Sequence, residues 1–197
     1  MTFVLASGSA SRRRVLAAVG VPFAAIPAQI DEDARKDKLL SQGLPLQAVA
    51  DALAQAKAEH VSGLHPDALV LGADQTLLFE GELISKCPDV PAARALLQRL
   101  RGKEHKLVSA LVLVRGGAVL WRHAAHASLA MRAFSDVFLD AYLSTEGEGI
   151  LGCVGCYKLE GLGAQLFERV EGDYFSILGL PLQPLLAELR RQGVIAI

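Results

Sequence analysis

Apolar positions recur along the chain in two rhythms, short continuous runs and helical stripes. Residues 2–6 form an apolar run that stops at Ser7-Gly8-Ser9, the pattern of a strand entering a tight loop. Residues 11–19 follow with Val15, Leu16 and Val19 on one helical face and Gly20 as the stop. A second strand is predicted over 21–30, running into Asp31-Glu32-Asp33, and an alanine-rich helix over 46–61. The run 68–72 reads as a buried strand that delivers Asp74 at its end. Residues 77–84, centred on Glu80-Gly81, read as a hairpin, and 91–101 as a helix closed by Gly102. Two long strands, 106–115 and 119–131, are joined at Gly116-Gly117. A helix over 134–144, a glycine-rich loop over 147–163, a strand over 166–170 and a helix over 182–192 complete the chain. Strands alternate with helices, but hairpins sit in the middle, which predicts an α/β sheet of mixed direction.

Composition narrows the class. With 197 residues, 52% of them hydrophobic and 21% charged, the chain can bury about 70% of its unfolded surface, which argues against disorder. The length suits one domain, or one split into two lobes. Twenty Lys+Arg against 21 Asp+Glu leave a net charge of −1, so no global field draws in nucleic acid or an anionic membrane. A polyanionic ligand would need a local cluster of cations. Cys87, Cys153 and Cys156 are an odd number, which argues against a disulfide scaffold and for a reducing compartment. The N-terminus lacks a basic n-region, and no apolar stretch approaches the ~18 residues of a membrane span. A soluble cytoplasmic protein is expected.

Four constellations carry candidate chemistry. Ser7-Gly8-Ser9-Ala10-Ser11-Arg12-Arg13-Arg14 joins a strand to a helix, where free backbone N–H groups, hydroxyls and guanidinium groups favour phosphate. It is neither a P-loop nor a Gly-x-Gly-x-x-Gly fingerprint, and plain capping with a solvated helix start would give the same residues. Asp31, Glu32, Asp33 and Asp74 stand at predicted strand ends, where α/β sheets build sites that hold a divalent cation or activate water. Surface capping explains Asp33 as well. Asp74 is harder to dismiss, because it directly follows a buried run. Lys57 falls on or beside the apolar stripe of its helix, one turn from Leu53 and one from Val61, and either snorkels or faces an internal anion. Lys86 follows the hairpin. Finally, 155–163 is a glycine-rich loop with the single acid Glu160, and Cys153-x-x-Cys156 within reach lacks a second such pair for zinc.

In these residues the sequence resembles the Maf-like nucleotide pyrophosphatases over essentially its whole length. Leu5-Ala6-Ser7-Gly8-Ser9-Ala10-Ser11-Arg12-Arg13, Asp31-Glu32, Ala54-Gln55-Ala56-Lys57-Ala58, Gly72-Ala73-Asp74 and Lys86 follow the family's order. Glu168-Arg169-Val170-Glu171-Gly172-Asp173-Tyr174 and Gly179-Leu180-Pro181-Leu182 close it. Each motif is weak alone; together and in this order they are specific. Cys87 between Lys86 and Pro88, and Ser109-Ala110 where Thr-Gly is common, are departures. The resemblance implies a single domain over 1–197 with a mixed, mostly antiparallel extended sheet, flanking helices and two lobes around a cleft. It also implies a divalent cation, Mg²⁺ or Mn²⁺, and a small-molecule nucleoside triphosphate as substrate, cleaved to monophosphate and diphosphate. A second copy of the chain, in a homodimer, is the implied partner. Asp74 is expected to be the general base, or in an alternative role a metal ligand. Glu32, with Asp31 nearby, is expected on the metal side, and Ser7, Ser9, Arg13, Lys57 and Lys86 on the phosphates.

Arg12, Gln75 and Glu160 are the expected base readers. The dTTP/UTP subgroup typically has Thr and Gln where this chain has Gln75 and Glu160, which are similar to the 7-methyl-GTP subgroup. A guanine edge offers two donors that one carboxylate accepts together, and N7-methylation adds a positive charge. The alternatives are a dTTP/UTP or broad-specificity pyrophosphatase, and a non-catalytic nucleotide-binding regulator of division and septum formation.

Overall fold

A computed structural model describes residues 2–196. Its seven strands form one open sheet in the order β2-β1-β3-β5-β6-β7, with β4 paired to β3. These are β1 Phe3–Leu5, β2 Ala24–Ala25, β3 Leu69–Phe79, β4 Glu82–Ile84, β5 Glu104–Arg115, β6 Ala118–Met131 and β7 Phe167–Glu171. The helices are α1 Ala10–Ala18, α2 Glu32–Ser41, α3 Val49–Leu64, α4 Val90–Leu100, α5 Asp136–Glu146, α6 Tyr174–Ile177 and α7 Leu182–Arg191. The expected mixed α/β sheet flanked by helices is present. The chain divides into two compact units, one from the described residues up to Gln75 with Val108–Ala125 and the segment from Asp173 onward. The other holds Thr76–Leu107 and His126–Gly172.

In the first unit β1 pairs in parallel with β2 (Val4 with Ala24) and with β3 (Val4 with Val70). Parallel partners on both sides leave β1 buried throughout, which is why it reads as a continuous apolar run. Side chains alternate across a strand. Leu69, Leu71 and Ala73 of β3 join one core cluster with Val15 and Leu16 of α1 and Leu182, Leu185 and Leu189 of α7. Gly72 and Asp74 turn to the other face, against α3.

The close seat of α3 depends on one glycine. A Cβ on Gly72 would fall 1.9 Å from the Ala54 carbonyl oxygen and 2.9 Å from the Ala58 Cβ, so only a bare Cα admits the helix backbone there. Ala54 and Ala58 are themselves fully buried, and small side chains on this face bring Lys57 down onto the sheet.

The second unit is built on antiparallel pairing. Leu77–Ile84 and Phe79–Glu82 pair across the Glu80-Gly81 turn, as the hairpin pattern predicts, and β6 pairs with β7 from Ser128–Glu171 onward. Helix α4 starts at Asp89, whose carboxylate accepts from the Ala92 N–H, and buries Leu96, Leu97 and Leu100. Tyr142 of α5 is buried and donates to the Cys156 carbonyl at 3.0 Å.

Three expectations change. The strand over 21–30 shrinks to Ala24–Ala25, because Pro22 and Pro27 bracket it and neither can donate to a ladder. The strand over 68–72 runs on to Phe79, so Asp74 lies inside β3 and not at its end. Helix α2 was not predicted: it buries no residue and has no apolar stripe. Its signals are its ends, with Asp31 as cap, Glu32 and Asp33 in the first turn and Lys38 in the last. Among the described residues no helix is long and apolar enough to cross a membrane.

Candidate active site

The first unit draws most of the expected residues together around Asp74. Its side chain is only 8% exposed, and the Lys57 ammonium of α3 lies 2.6 Å from Oδ1. The same ammonium lies 2.8 Å from Oε2 of Glu32, at the first turn of α2. One buried cation therefore joins a buried carboxylate to a half-exposed one. Burial pushes the Asp74 carboxyl above the usual carboxylate range, while Lys57 and then Arg12 pull it back. A carboxylate held closer to neutrality is a better proton acceptor than an ordinary one.

Arg12 is the second buried cation, 8% exposed at the start of α1. It donates through Nε to the Gly179 carbonyl (2.8 Å), and through Nη1 to the Ala73 carbonyl (3.0 Å) and Ser7 Oγ (3.1 Å). Burial lowers the guanidinium from its ordinary value, and Asp74 and then Glu32 hold its charge. Ser7 Oγ also accepts from the Ser9 N–H, and Ser9 Oγ caps α1 by accepting from the Arg12 N–H. The two hydroxyls thus shape the loop from within. Arg13 is exposed one residue further on. Asp31 caps α2, its carboxylate accepting from the Ala34 N–H at 2.9 Å, which fixes where Glu32 begins the helix.

Gln75, half-buried, turns its amide nitrogen to Ser109 Oγ (2.8 Å), the Ile177 carbonyl (3.0 Å) and the Ser176 carbonyl (3.2 Å). Ser109 Oγ in turn donates to the Ser176 carbonyl at 2.7 Å. Nothing in the sequence pattern signalled this attachment of β3 to α6.

A family model described as Maf-like protein matches residues 2–192. The chain belongs to that family. It is 48% identical over 197 residues to the nucleoside triphosphate pyrophosphatase of Granulibacter bethesdensis, covering all of both chains. It is 50% identical over 193 residues to the protein of the same description from Maricaulis maris, covering 98% of this chain and 97% of the relative. With the 7-methyl-GTP pyrophosphatase of Rhizobium etli it shares 48% identity over 192 residues, 98% of this chain and 96% of the relative. Like these relatives, this Maf-like protein is a hydrolase acting on acid anhydrides.

The remaining two expected residues of this Maf-like chain lie in the second unit. Lys86 is exposed two residues beyond β4, and Glu160 is exposed in the glycine-rich loop. Burial raises the Cys153 thiol above its ordinary value, Glu160 raises it further, and Lys158 and Lys86 oppose that, so the charges of Glu160 and Lys86 both act on Cys153. The loop is firmly built. Lys158 Nζ lies 3.3 Å from Glu146 Oε2, and Gly161 donates from its N–H to the Lys158 carbonyl. Beneath it, His105 and Tyr157 share a buried hydrogen bond of 2.7 Å that the sequence did not reveal.

The donor set fits a hard divalent cation. Glu32 and Asp74 both lie within 2.8 Å of the Lys57 ammonium, so two hard oxygen donors stand near one another. One or two carboxylates, completed by water and substrate phosphate oxygens, are the donors that Mg²⁺ and its like take.

Proposed function

We propose that this Maf-like protein hydrolyses the α–β phosphoanhydride of 7-methyl-GTP, giving the nucleoside monophosphate and diphosphate. Nucleoside triphosphate pyrophosphatase activity follows from the family and from the relatives so named. The observation that carries the chemistry is the buried contact of Lys57 with both Asp74 and Glu32.

In this reading water approaches the α-phosphorus and gives its proton to Asp74. The new P–O bond forms as the bond to the bridging oxygen breaks, and diphosphate leaves. Lys57 holds Asp74 ionised and oriented before the reaction and lends its charge to the phosphates during it. Arg13 and Lys86 add exposed cations for the triphosphate, with Ser7 and Ser9 shaping the loop whose backbone N–H groups meet phosphate. Glu32 would hold a divalent cation, Mg²⁺ or Mn²⁺, joined by Asp74 only in the alternative in which Asp74 is a metal ligand and not the base. Bound there, the cation would supply neutralisation of the triphosphate charge.

Glu160 supplies the base preference. One carboxylate accepts from both the N1–H and the amino group of guanine, and it gains more beside the cationic N7-methylated ring. A glutamine at this place would suit the donor–acceptor pair of thymine or uracil instead. The three free thiols suit a reducing cytoplasm.

The test is diphosphate release from a panel of 7-methyl-GTP, GTP, dTTP and UTP with Mg²⁺. The highest kcat/KM is expected for 7-methyl-GTP, with Glu160→Gln lowering it about ten- to a hundredfold. Equal turnover of dTTP and 7-methyl-GTP contradicts the base assignment.

A further inference from the structure

Glu160 shares its loop with a cation two residues away, Lys158. Toward a cationic base the two work against each other, because Lys158 repels the charge that Glu160 attracts. A second acid offsets that cation. Glu146 Oε2 lies 3.3 Å from the Lys158 ammonium, and the Glu146 side chain is only 14% exposed.

Helix electrostatics do not account for an acid at this place. Glu146 is the last residue of α5, where the negative end of the helix dipole opposes an anion, and the last turn holds no basic residue. Its partner comes from the loop, which is folded tightly about the pair. A Cβ on Gly149 would stand 3.0 Å from Lys158 Nζ, and one on Gly161 would stand 3.6 Å from Glu146 Oε1. A Cβ on Gly163 would fall 2.6 Å from the Lys158 carbonyl oxygen and 2.8 Å from its nitrogen, so this turn requires glycine. Beyond burial, Glu160 and Glu146 raise the Cys153 thiol while Lys158 and Lys86 lower it, so these charges act on one shared neighbour. Glu146, Lys158 and Glu160 together carry one net negative charge; without Glu146 they carry none.

We infer that Glu146 is a specificity-determining residue: by neutralising Lys158 it lets the charge of Glu160 prevail in its own loop, and so favours N7-methylated guanine over plain guanine. The inference rests on Glu160 as the acid that meets the base. GTP and 7-methyl-GTP offer that acid the same N1–H and amino donors and differ in ring charge, so their ratio reads charge. The ratio of GTP to UTP reads hydrogen bonding instead.

The test is kcat/KM for 7-methyl-GTP, GTP and UTP with Mg²⁺, in mildly acidic buffer where the methylated ring keeps its N1–H and its charge. Glu146→Gln keeps the side-chain shape and removes the charge. The 7-methyl-GTP to GTP ratio should fall about three- to tenfold, with the GTP to UTP ratio within about twofold of wild type. The fall should shrink at high salt, as screening of a partly exposed pair requires. Adding Lys158→Met to Glu146→Gln restores one net negative charge and should return the ratio to within about twofold of wild type. Should Glu146→Gln fail to give a cooperative thermal melt, Lys158→Met compared with the double variant removes the same charge and should show the same fall. A wild-type 7-methyl-GTP to GTP ratio in Glu146→Gln, an equal change in the GTP to UTP ratio, or no recovery in the double variant overturns the inference. The last two are what a merely structural brace would give. Glu160→Gln with every ratio at its wild-type value would instead sink the reading of Glu160, and the inference with it.

Discussion

Lys57 and Asp74 stabilise one another only as a pair. Both side chains are 8% exposed, and removing one charge leaves the other buried without compensation. Lys57→Met is therefore expected to lower stability by about 3–5 kcal/mol in chemical denaturation, well beyond its effect on any surface lysine. Activity follows the same group. Because burial raises the Asp74 carboxyl, and the base must be ionised, kcat/KM should fall as pH drops through a limb lying above the usual carboxylate range. A pH–rate profile with its acid limb at or below pH 4 would contradict this. Lys57 was legible from its place on the apolar stripe, and Asp74 from the run before it. The partner Glu32 was legible only as an acid. Which cation it meets depends on α2, whose sequence has no apolar face to announce it.

Elements bring those residues together through their backbones. The period-2 alternation of β3 sends Leu69, Leu71 and Ala73 to one core and Asp74 to the face under α3. Gly72 then sets how near α3 can lie. Gly72→Ala should push the helix outward, lower the thermal midpoint and reduce kcat by tenfold or more, roughly the cost of a 1 Å displacement. Activity equal to wild type would show that the α3–β3 spacing is immaterial. Most elements were legible because strand alternation and helical stripes are local signals. The exceptions have physical causes: prolines cut the 21–30 strand short, and a compensated charge let β3 continue through Asp74. The attachment of Gln75 to α6 spans about a hundred residues of sequence, and no local pattern encodes it.

At the scale of the whole molecule, the net charge of −1 conceals Arg12, Lys57, Asp74 and Glu32 gathered in the first unit, so overall neutrality does not exclude a polyanionic substrate. The second unit carries a titrating group that the reaction does not use. His105 is 1% exposed, its Nε2 meets Tyr157 and its Nδ1 is buried without a hydrogen-bond partner. Burial takes its pKa from 6.5 down to about 4. Below pH 6.5 the unfolded chain binds a proton there that the folded chain refuses until about pH 4. His105 therefore favours folding fully above pH 6.5, and about 3 kcal/mol is lost as pH falls toward 4. Denaturation of His105→Gln should show a flatter dependence over that window.

Oxygen tracing reads directly which phosphorus is attacked. Hydrolysis of 7-methyl-GTP in ¹⁸O-labelled water, followed by mass spectrometry of both products, should place the label in the nucleoside monophosphate and none in diphosphate. The signal should fall about 10²–10⁴-fold in rate for Asp74→Asn. Label in diphosphate, or release of orthophosphate in its place, would contradict attack at the α-phosphorus and with it the role given to Asp74.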